Sequence, residues 1–485
     1  MRQALPPLSP LLLQLLLILL LAVAFAPIVV AAATSFSARS TADVVHHQQG
    51  LPFFYPATDN AIHWSGRVLR DDYGRVTFDW PGVTASFRIE GNASIVEVLV
   101  NDTTVEGTRF AVYLDSPGQE QQHLQTFLTK RGIMYYPLLS GNKFQTRGLA
   151  LPSDVTLSMV HTQESRYLAE TAAGDNVTVV GFTTNGLLAS PLPATRRLEF
   201  IGDSITAGYG ADAAAPCHPS VVNNNYALTW AHLLCQKLRA ECFVEAYSGS
   251  GVIFSYPDPA SPPVTMPERY HDTLASNRLK GEGGHPWVVD MDAFRPDAIV
   301  INLGTNDFCC GGAQNASFVQ EYEDAYLSFV MGVVQSYAVP SARERNGKME
   351  ETNEGYESVR RSVEVKEVGV MADLSALREK DEMIYLRAAA LRGSPPFLAS
   401  SLSYPVVFLG VGPMSDQYKA PLQRVLKRLI NHGIRAHYLD LILPPNVAMG
   451  GCDSHPNEEV HQQVARHALP VLASVMGWED NKHYF

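Results

Sequence analysis

Cleaving an ester at a hydroxyl takes a nucleophile, a base to accept its proton, and donors for the oxyanion that develops. This chain offers a candidate for each. Ser204 stands in LEFIGDSITAG (198–208), where the apolar run of Leu198, Phe200 and Ile201 stops at Gly202-Asp203-Ser204. A buried parallel strand that delivers a serine to the carboxyl edge of an α/β sheet reads this way, and ligands bind in the crevice at such edges. Serine at a strand-to-helix turn is also a common helix N-cap, so Ser204 by itself reads equally as nucleophile or cap. IVINLGTNDF (299–308) ends a second apolar run at Gly304-Thr305-Asn306-Asp307. There the Asn306 amide is a candidate oxyanion donor, against the ordinary reading of a polar turn. In AYSGSG (246–251) the Gly249 N–H is a weaker candidate donor, since glycine in such loops is more often a plain turn former. The candidate base is His455 in GCDSHPNEEVHQQVA, with Asp453 near enough to orient its ring. Its bland alternative is a capping or solvated loop histidine, and His461 reads as packed or exposed on the helix that follows.

Two kinds of element must position these residues. Residues 51–190 read as short strands: RVTFDW, TASFRIEG, SIVEVLVND, TRFAVYLD, VTLSMVHT and NVTVVGFTT alternate apolar and polar positions between Gly, Asn, Asp and Pro. Without helical stretches between them, they suggest an antiparallel sandwich or jelly roll. After the connector SPLPATRR the texture changes to α/β, with strands and helices alternating over 195–480. LEFIGDS precedes the helical YALTWAHLLCQKL, DAIVINLGTND precedes FVQEYEDAYLSFVMGVVQSY, and YPVVFLGVG precedes APLQRVLKRLINHG. That order implies a parallel sheet with helices on both faces. Residues 340–400 interrupt it as a charged surface insertion, with a short helix expected over Glu382–Leu391.

The 485 residues allow two or three domains, and 46% hydrophobic with 18% charged residues is ordinary for a globular chain. A net charge of −12 argues against a nucleic-acid binder, which would need a basic stripe. Arg2 and the apolar run Leu11–Ala33, with Ala31-Ala32-Ala33 before Thr34, read as a cleaved signal peptide over 1–33. The same run is long enough to serve as an uncleaved anchor, the one membrane contact considered. Sequons at Asn92, Asn101, Asn176 and Asn315 fit a secreted glycoprotein. The 6 cysteines show no C-x-x-C pair or His cluster with zinc-ligand spacing, so the expected chemistry uses no metal and no cofactor. If Asn306 and His455 converge on one substrate, the Cys309/Cys310 pair and Cys452 become neighbours, and a disulfide between them is expected.

Together these segments resemble the SGNH (GDSL-like) hydrolases. Carried over one at a time, Ser204 matches the nucleophile, Gly249 and Asn306 the oxyanion donors beside the Ser204 amide, and His455 the base. RRLEFIGDSITAGYG, MPERYHDTL, INLGTNDF and GCDSHP narrow the resemblance to carbohydrate esterase family 2. It implies a jelly-roll domain before a three-layer SGNH domain and an acetyl xylan esterase-like activity. The partner it implies is an acetylated polysaccharide or oligosaccharide. Most SGNH enzymes carry the acid three residues before the histidine, where this chain has Cys452. Asp453 stands two before, as in the D-x-H-P form of family 2, some of whose members orient the histidine with a backbone carbonyl instead. Two other readings stand beside this one: a lipolytic or thioester hydrolase on the same scaffold, and a carbohydrate-binding protein with a vestigial site.

Overall fold

A computed structural model describes residues 53–90, 95–116, 119, 121–140, 155–164, 177–256, 264–276, 286–290, 293–310, 315–340 and 402–478. The expected 1–33 leader, the sequons Asn92 and Asn176, nearly all of the expected 340–400 insertion and its expected Glu382–Leu391 helix lie outside the described residues.

The first part is all β. Its strands are β1 (Phe53–Pro56), β2 (His63–Ser65), β3 (Leu69–Arg70), β4 (Val76–Phe78), β5 (Thr84–Glu90), β6 (Ile95–Asp102), β7 (Arg109–Asp115), β8 (Gln122–Leu128), β9 (Gly132–Ser140), β10 (Val155–His161), β11 (Val177–Thr184) and β12 (Leu187–Ala189). They form two 6-stranded antiparallel sheets, β3-β4-β11-β6-β9 with β1 on β11, and β12-β5-β10-β7-β8 with β2 on β5. Alternation puts Ala85, Phe87 and Ile89 of β5 and Val96, Val98 and Val100 of β6 into the space between the sheets. Phe87 there meets Phe182 of β11 edge-on, ring centroids 5.0 Å apart.

Two strands depart from the expected alternation. In β7 and β10 nearly every residue is buried. The outer face of their sheet is covered by the second half of the chain: Ala111, Tyr113 and Val160 pack with Tyr226, Ala227 and Trp230. A strand buried on both faces has no reason to alternate.

The second part is α/β. Its elements are β13 (Arg197–Gly202), α1 (Ser204–Ala207), α2 (Trp230–Leu238), β14 (Glu241–Ala246), α3 (Met266–Arg269), β15 (Ala298–Asn302), α4 (Thr305–Cys310), α5 (Ala316–Ser336), β16 (Val339–Pro340), β17 (Leu402–Ser403), β18 (Val406–Val411), α6 (Lys419–Asn431), β19 (Ala436–Asp440) and α7 (Glu458–Met476). The central sheet has 5 strands in the order β14-β13-β15-β18-β19, all parallel. Its period-2 alternation serves two cores. Phe200, Val300 and Phe408 face α2 and α7, while Ile201, Ile301 and Leu409 face α5 and α6. The helices start at polar side chains that accept first-turn N–H groups: Thr229 before α2, Asn315 before α5 and Asn457 before α7. Thr229 also divides the expected YALTWAHLLCQKL helix, leaving Tyr226–Leu228 as a separate 3₁₀ turn. Antiparallel pairing of β16 with β17 sets Pro340 opposite Leu402, so the described residues on either side of 341–401 lie next to each other.

The two parts, expected as 51–190 and 195–480, lie within one compact unit that begins at Pro52. Their cores are continuous, because one apolar cluster runs from Phe78 and Phe87 of the sandwich to Ile299 and Ile301 of the parallel sheet. A buried charge crosses the same boundary. Arg67, fully buried, lies 2.9 Å from Glu245 and 3.7 Å from Glu199 and packs over the Tyr270 ring at 4.3 Å. Burial pushes both carboxyls upward in pKa, with Arg67 opposing the shift in each.

Candidate active site

The carboxyl ends of β13, β14 and β15 share one edge of the sheet, and each ends in the turn foreseen for it. After β13, Asp203 caps α1 by accepting the Ile205 N–H at 3.0 Å, which leaves Ser204 as the first helical residue, 5% exposed. After β15, Gly304 has φ +132°, and a Cβ there would come within 2.6 Å of Tyr322 and Tyr418. That glycine lets the chain turn into α4 with Asn306 in its first turn. After β14, the loop Tyr247–Tyr256 carries Gly249, half-buried with φ +83°.

His455 reaches this edge from the loop before α7. Its Nε2 lies 2.8 Å from Ser204 Oγ, and its Nδ1 lies 3.3 Å from the Asp453 carbonyl oxygen. The Asp453 carboxylate is turned elsewhere. It accepts the Tyr209 hydroxyl at 3.0 Å and lies 3.3 Å from His218 Nδ1. The cause is backbone geometry, since Asp453 and Ser454 both have left-handed φ, 49° and 63°. Tyr209 also packs against the imidazole, centroids 4.2 Å apart and planes tilted by 36°. His461 is buried, its Nδ1 accepting the Trp230 N–H at 3.4 Å.

The disulfides differ from the pairing expected. Cys452 is bonded to Cys217, not to Cys309 or Cys310, and Cys235 pairs with Cys242. The loop before His455 lies against the Gly208–His218 segment rather than against α4. A Cβ on Gly210 would approach Cys452 Cβ to 2.5 Å, and the Cys452 N–H donates to the Gly210 carbonyl at 3.4 Å. Cys309, too, is disulfide-bonded.

Asn306 Nδ2 donates to the Ser250 carbonyl at 2.9 Å and to Asp203 Oδ2 at 3.3 Å. The shorter of these bonds fixes the orientation of the amide. Sequence reasoning missed the carboxylates behind these groups. Asp307 accepts the N–H groups of Val252 at 3.0 Å, Ile253 at 2.8 Å and Phe254 at 2.9 Å, and so shapes the loop after Gly249. Glu164, from beyond β10 in the sandwich, accepts both the N–H and the hydroxyl of Ser248 at 2.5 Å. Burial, with Asp307 and Glu164 nearby, pushes the Asp203 carboxyl up to about 7. Adjacency within GDS and GTND was the available signal for Asp203 and Asp307, whereas nothing in the sequence pointed to Glu164. Of the two described sequons, Asn315 is the exposed cap of α5 and Asn101 is half-buried on β6.

A serine hydroxyl hydrogen-bonded to an imidazole, beside an amide donor in a crevice, can carry a proton-coupled acyl transfer. The parallel sheet has the architecture of SGNH-type hydrolases, here preceded by an N-terminal β-sandwich. Residues 200–469, more than half of the chain, match the GDSL-like Lipase/Acylhydrolase family, and the chain belongs to that family. Among curated proteins it is 35% identical over 144 residues to "Cellulase/esterase CelE" of Acetivibrio thermocellus, which covers 30% of this chain and 16% of that one. It is 31% identical over 259 residues to an "Acetylxylan esterase / glucomannan deacetylase" of Cellvibrio japonicus, covering 51% of this chain and 61% of the relative. The chain therefore spans less than two thirds of the length of these relatives. The fold is shared with a family two carbohydrate esterase from Clostridium thermocellum, solved in complex with cellohexaose. The TM-score is 0.59 at 20% identity over 86% of this chain and 99% of that one. It is shared also with a carbohydrate esterase family 2 enzyme of Corynascus thermopiles, TM-score 0.55 at 22% identity over 86% and 100% of the two chains.

Proposed function

We propose that this protein is a serine esterase that removes O-acetyl groups from carbohydrate, of xylan or glucomannan type, through a Ser204–His455 acyl-enzyme mechanism. The observation that carries the reading is the 2.8 Å contact between Ser204 Oγ and His455 Nε2 at the sheet edge that also holds Asn306. His455 takes the Ser204 proton as the oxygen attacks the acetyl carbonyl. The resulting oxyanion is met by the N–H groups of Ser204 and Gly249 and by the Asn306 amide, donors held by the fold before substrate arrives. The Asp453 carbonyl accepts from Nδ1 and so favours the imidazolium. His455 then returns the proton to the departing sugar oxygen, and water activated by the same imidazole releases acetate. The substrate class is supported by the names of the Cellvibrio japonicus relatives and by the cellohexaose bound to the Clostridium thermocellum enzyme. Secretion after removal of residues 1–33, and glycosylation at the four sequons, belong to the same proposal.

The test pairs labelling with product analysis. An alkyl phosphonate is expected to label Ser204, and acetylated xylan and glucomannan oligosaccharides are expected to lose acetyl groups by mass spectrometry, with a Ser204→Ala variant inert in both. Turnover of a medium-chain p-nitrophenyl ester alone would replace the reading with a lipolytic one. Glucan binding with no turnover by the wild type would replace it with a binding role.

A further inference from the structure

We propose that Glu164, a residue of the β-sandwich, is a positioning residue for the Gly249 amide, making the sandwich a working part of the oxyanion pocket. The proposal rests on the reading of Ser204 as nucleophile and Gly249 as a donor.

The segment after β10 leaves the sandwich and runs along the edge of the α/β part. The Thr162 carbonyl accepts the Tyr226 N–H at 2.8 Å, and Gln163 Nε2 donates to the Val221 carbonyl at 2.8 Å. Glu164 follows with 1% of its surface exposed. One carboxylate oxygen takes the Ser248 N–H and the other takes the Ser248 hydroxyl, each at 2.5 Å. Two bonds from one rigid fork fix both the position and the rotation of Ser248. The next peptide plane contains the Gly249 N–H, whose direction is thereby set. On its far side the Gly249 carbonyl accepts the Tyr256 N–H at 2.7 Å. On the near side, Arg269 packs 3.7 Å over the ring of Tyr247 and is close enough for its charge to act on Glu164.

Energetics argue against mere structural filler. Burying a carboxylate is costly unless strong bonds and a counter-charge offset it. A negative group near a developing oxyanion also works against catalysis, and Glu164 already disfavours the charge on Asp203. What it supplies is direction, and a misplacement of about 1 Å in such a donor can cost about 10²-fold in rate.

The test uses the full chain. Glu164→Ala abolishes the fork and is expected to lower kcat by about 10²-fold with KM changed less than about threefold. Phosphonylation of Ser204 should slow by a similar factor. Glu164→Gln keeps a two-point grip, because its amide oxygen takes the Ser248 N–H and its NH₂ donates to the Ser248 hydroxyl. It is therefore expected to recover most of the rate, which a purely electrostatic role forbids. Ser248→Ala removes half of the grip and should fall between the two, and it decides the question if Glu164→Ala does not fold. Gln163→Ala, which loosens the neighbouring contact, should lower Tm and leave kcat unchanged. Wild-type kcat in Glu164→Ala, or in Ser248→Ala where the former is unfolded, would overturn the proposal, as would Gln behaving like Ala. A wild-type enzyme that neither turns over acetyl esters nor takes the phosphonate would instead overturn the functional reading beneath it.

Discussion

His455 Nδ1 faces the carbonyl oxygen of Asp453 at 3.3 Å, while the carboxylate of the same residue holds the Tyr209 hydroxyl at 3.0 Å. The chain thus offers its base a neutral acceptor where a conventional triad offers a charged one. Asp453→Asn keeps the carbonyl, tolerates the left-handed backbone and still accepts from Tyr209. It is expected to lose about tenfold in kcat, far from the roughly 10⁴-fold that follows neutralisation of a true triad acid. Steady-state kinetics on an acetyl ester decide this, and a loss near 10⁴ would return the role to the carboxylate.

Asn306 is expected to act on the transition state. Asn306→Ala should lower kcat by about 10²–10³ and leave KM nearly unchanged. A rise in KM alone would assign the amide to ground-state binding of the sugar. Because Nδ2 also ties Ser250 to Asp203, the variant's melting temperature should be recorded alongside.

The Cys217–Cys452 bond ties the loop of the base to the segment that carries Tyr209 and His218. Cys217→Ser should leave the parallel sheet folded and cost roughly tenfold in kcat through looser placement of His455. Activity measured well below the melting transition checks this. Full activity in that variant would show that the Gly210 and Tyr209 contacts alone hold the loop.

Asp203 gives a pH dependence with a definite sign. Its folded pKa is about 7 against an ordinary 3.8, so between these values the folded protein keeps a proton that the unfolded chain has lost. Stability from this group is therefore full below about pH 4 and declines as pH rises toward 7, by at most about 1.4 kcal/mol per pH unit. Asp203→Asn removes the titration. The difference in Tm, variant minus wild type, should widen from pH 5 to pH 7 and level off above. A difference that does not move with pH would show that Asp203 ionises normally.

Much of the site was legible because apolar runs that end in small polar residues mark where buried strands surface. Leu198–Ser204 and Ile299–Asn306 therefore placed their residues at one sheet edge, and His455 followed from the helix start behind it. The disulfide partner of Cys452 was not legible, since it depends on how the Gly208–His218 segment travels. Nor was Glu164, which meets Ser248 across 84 positions of sequence from a different layer of the fold. The double-sided burial of β7 and β10 was hidden for the same reason, because pattern reports burial but not what does the burying.

Arg67 also bears on whether the two halves of this chain can exist apart. The guanidinium comes from the sandwich, and the acids that need it, Glu199 and Glu245, belong to the parallel sheet. A gene fragment encoding only residues 195–478 would carry two buried acids without their cation, and a bare apolar face where Ala111 and Val160 had packed. In this chain, then, the parallel-sheet half depends on the sandwich both for its counter-charge and for the cover of one apolar face.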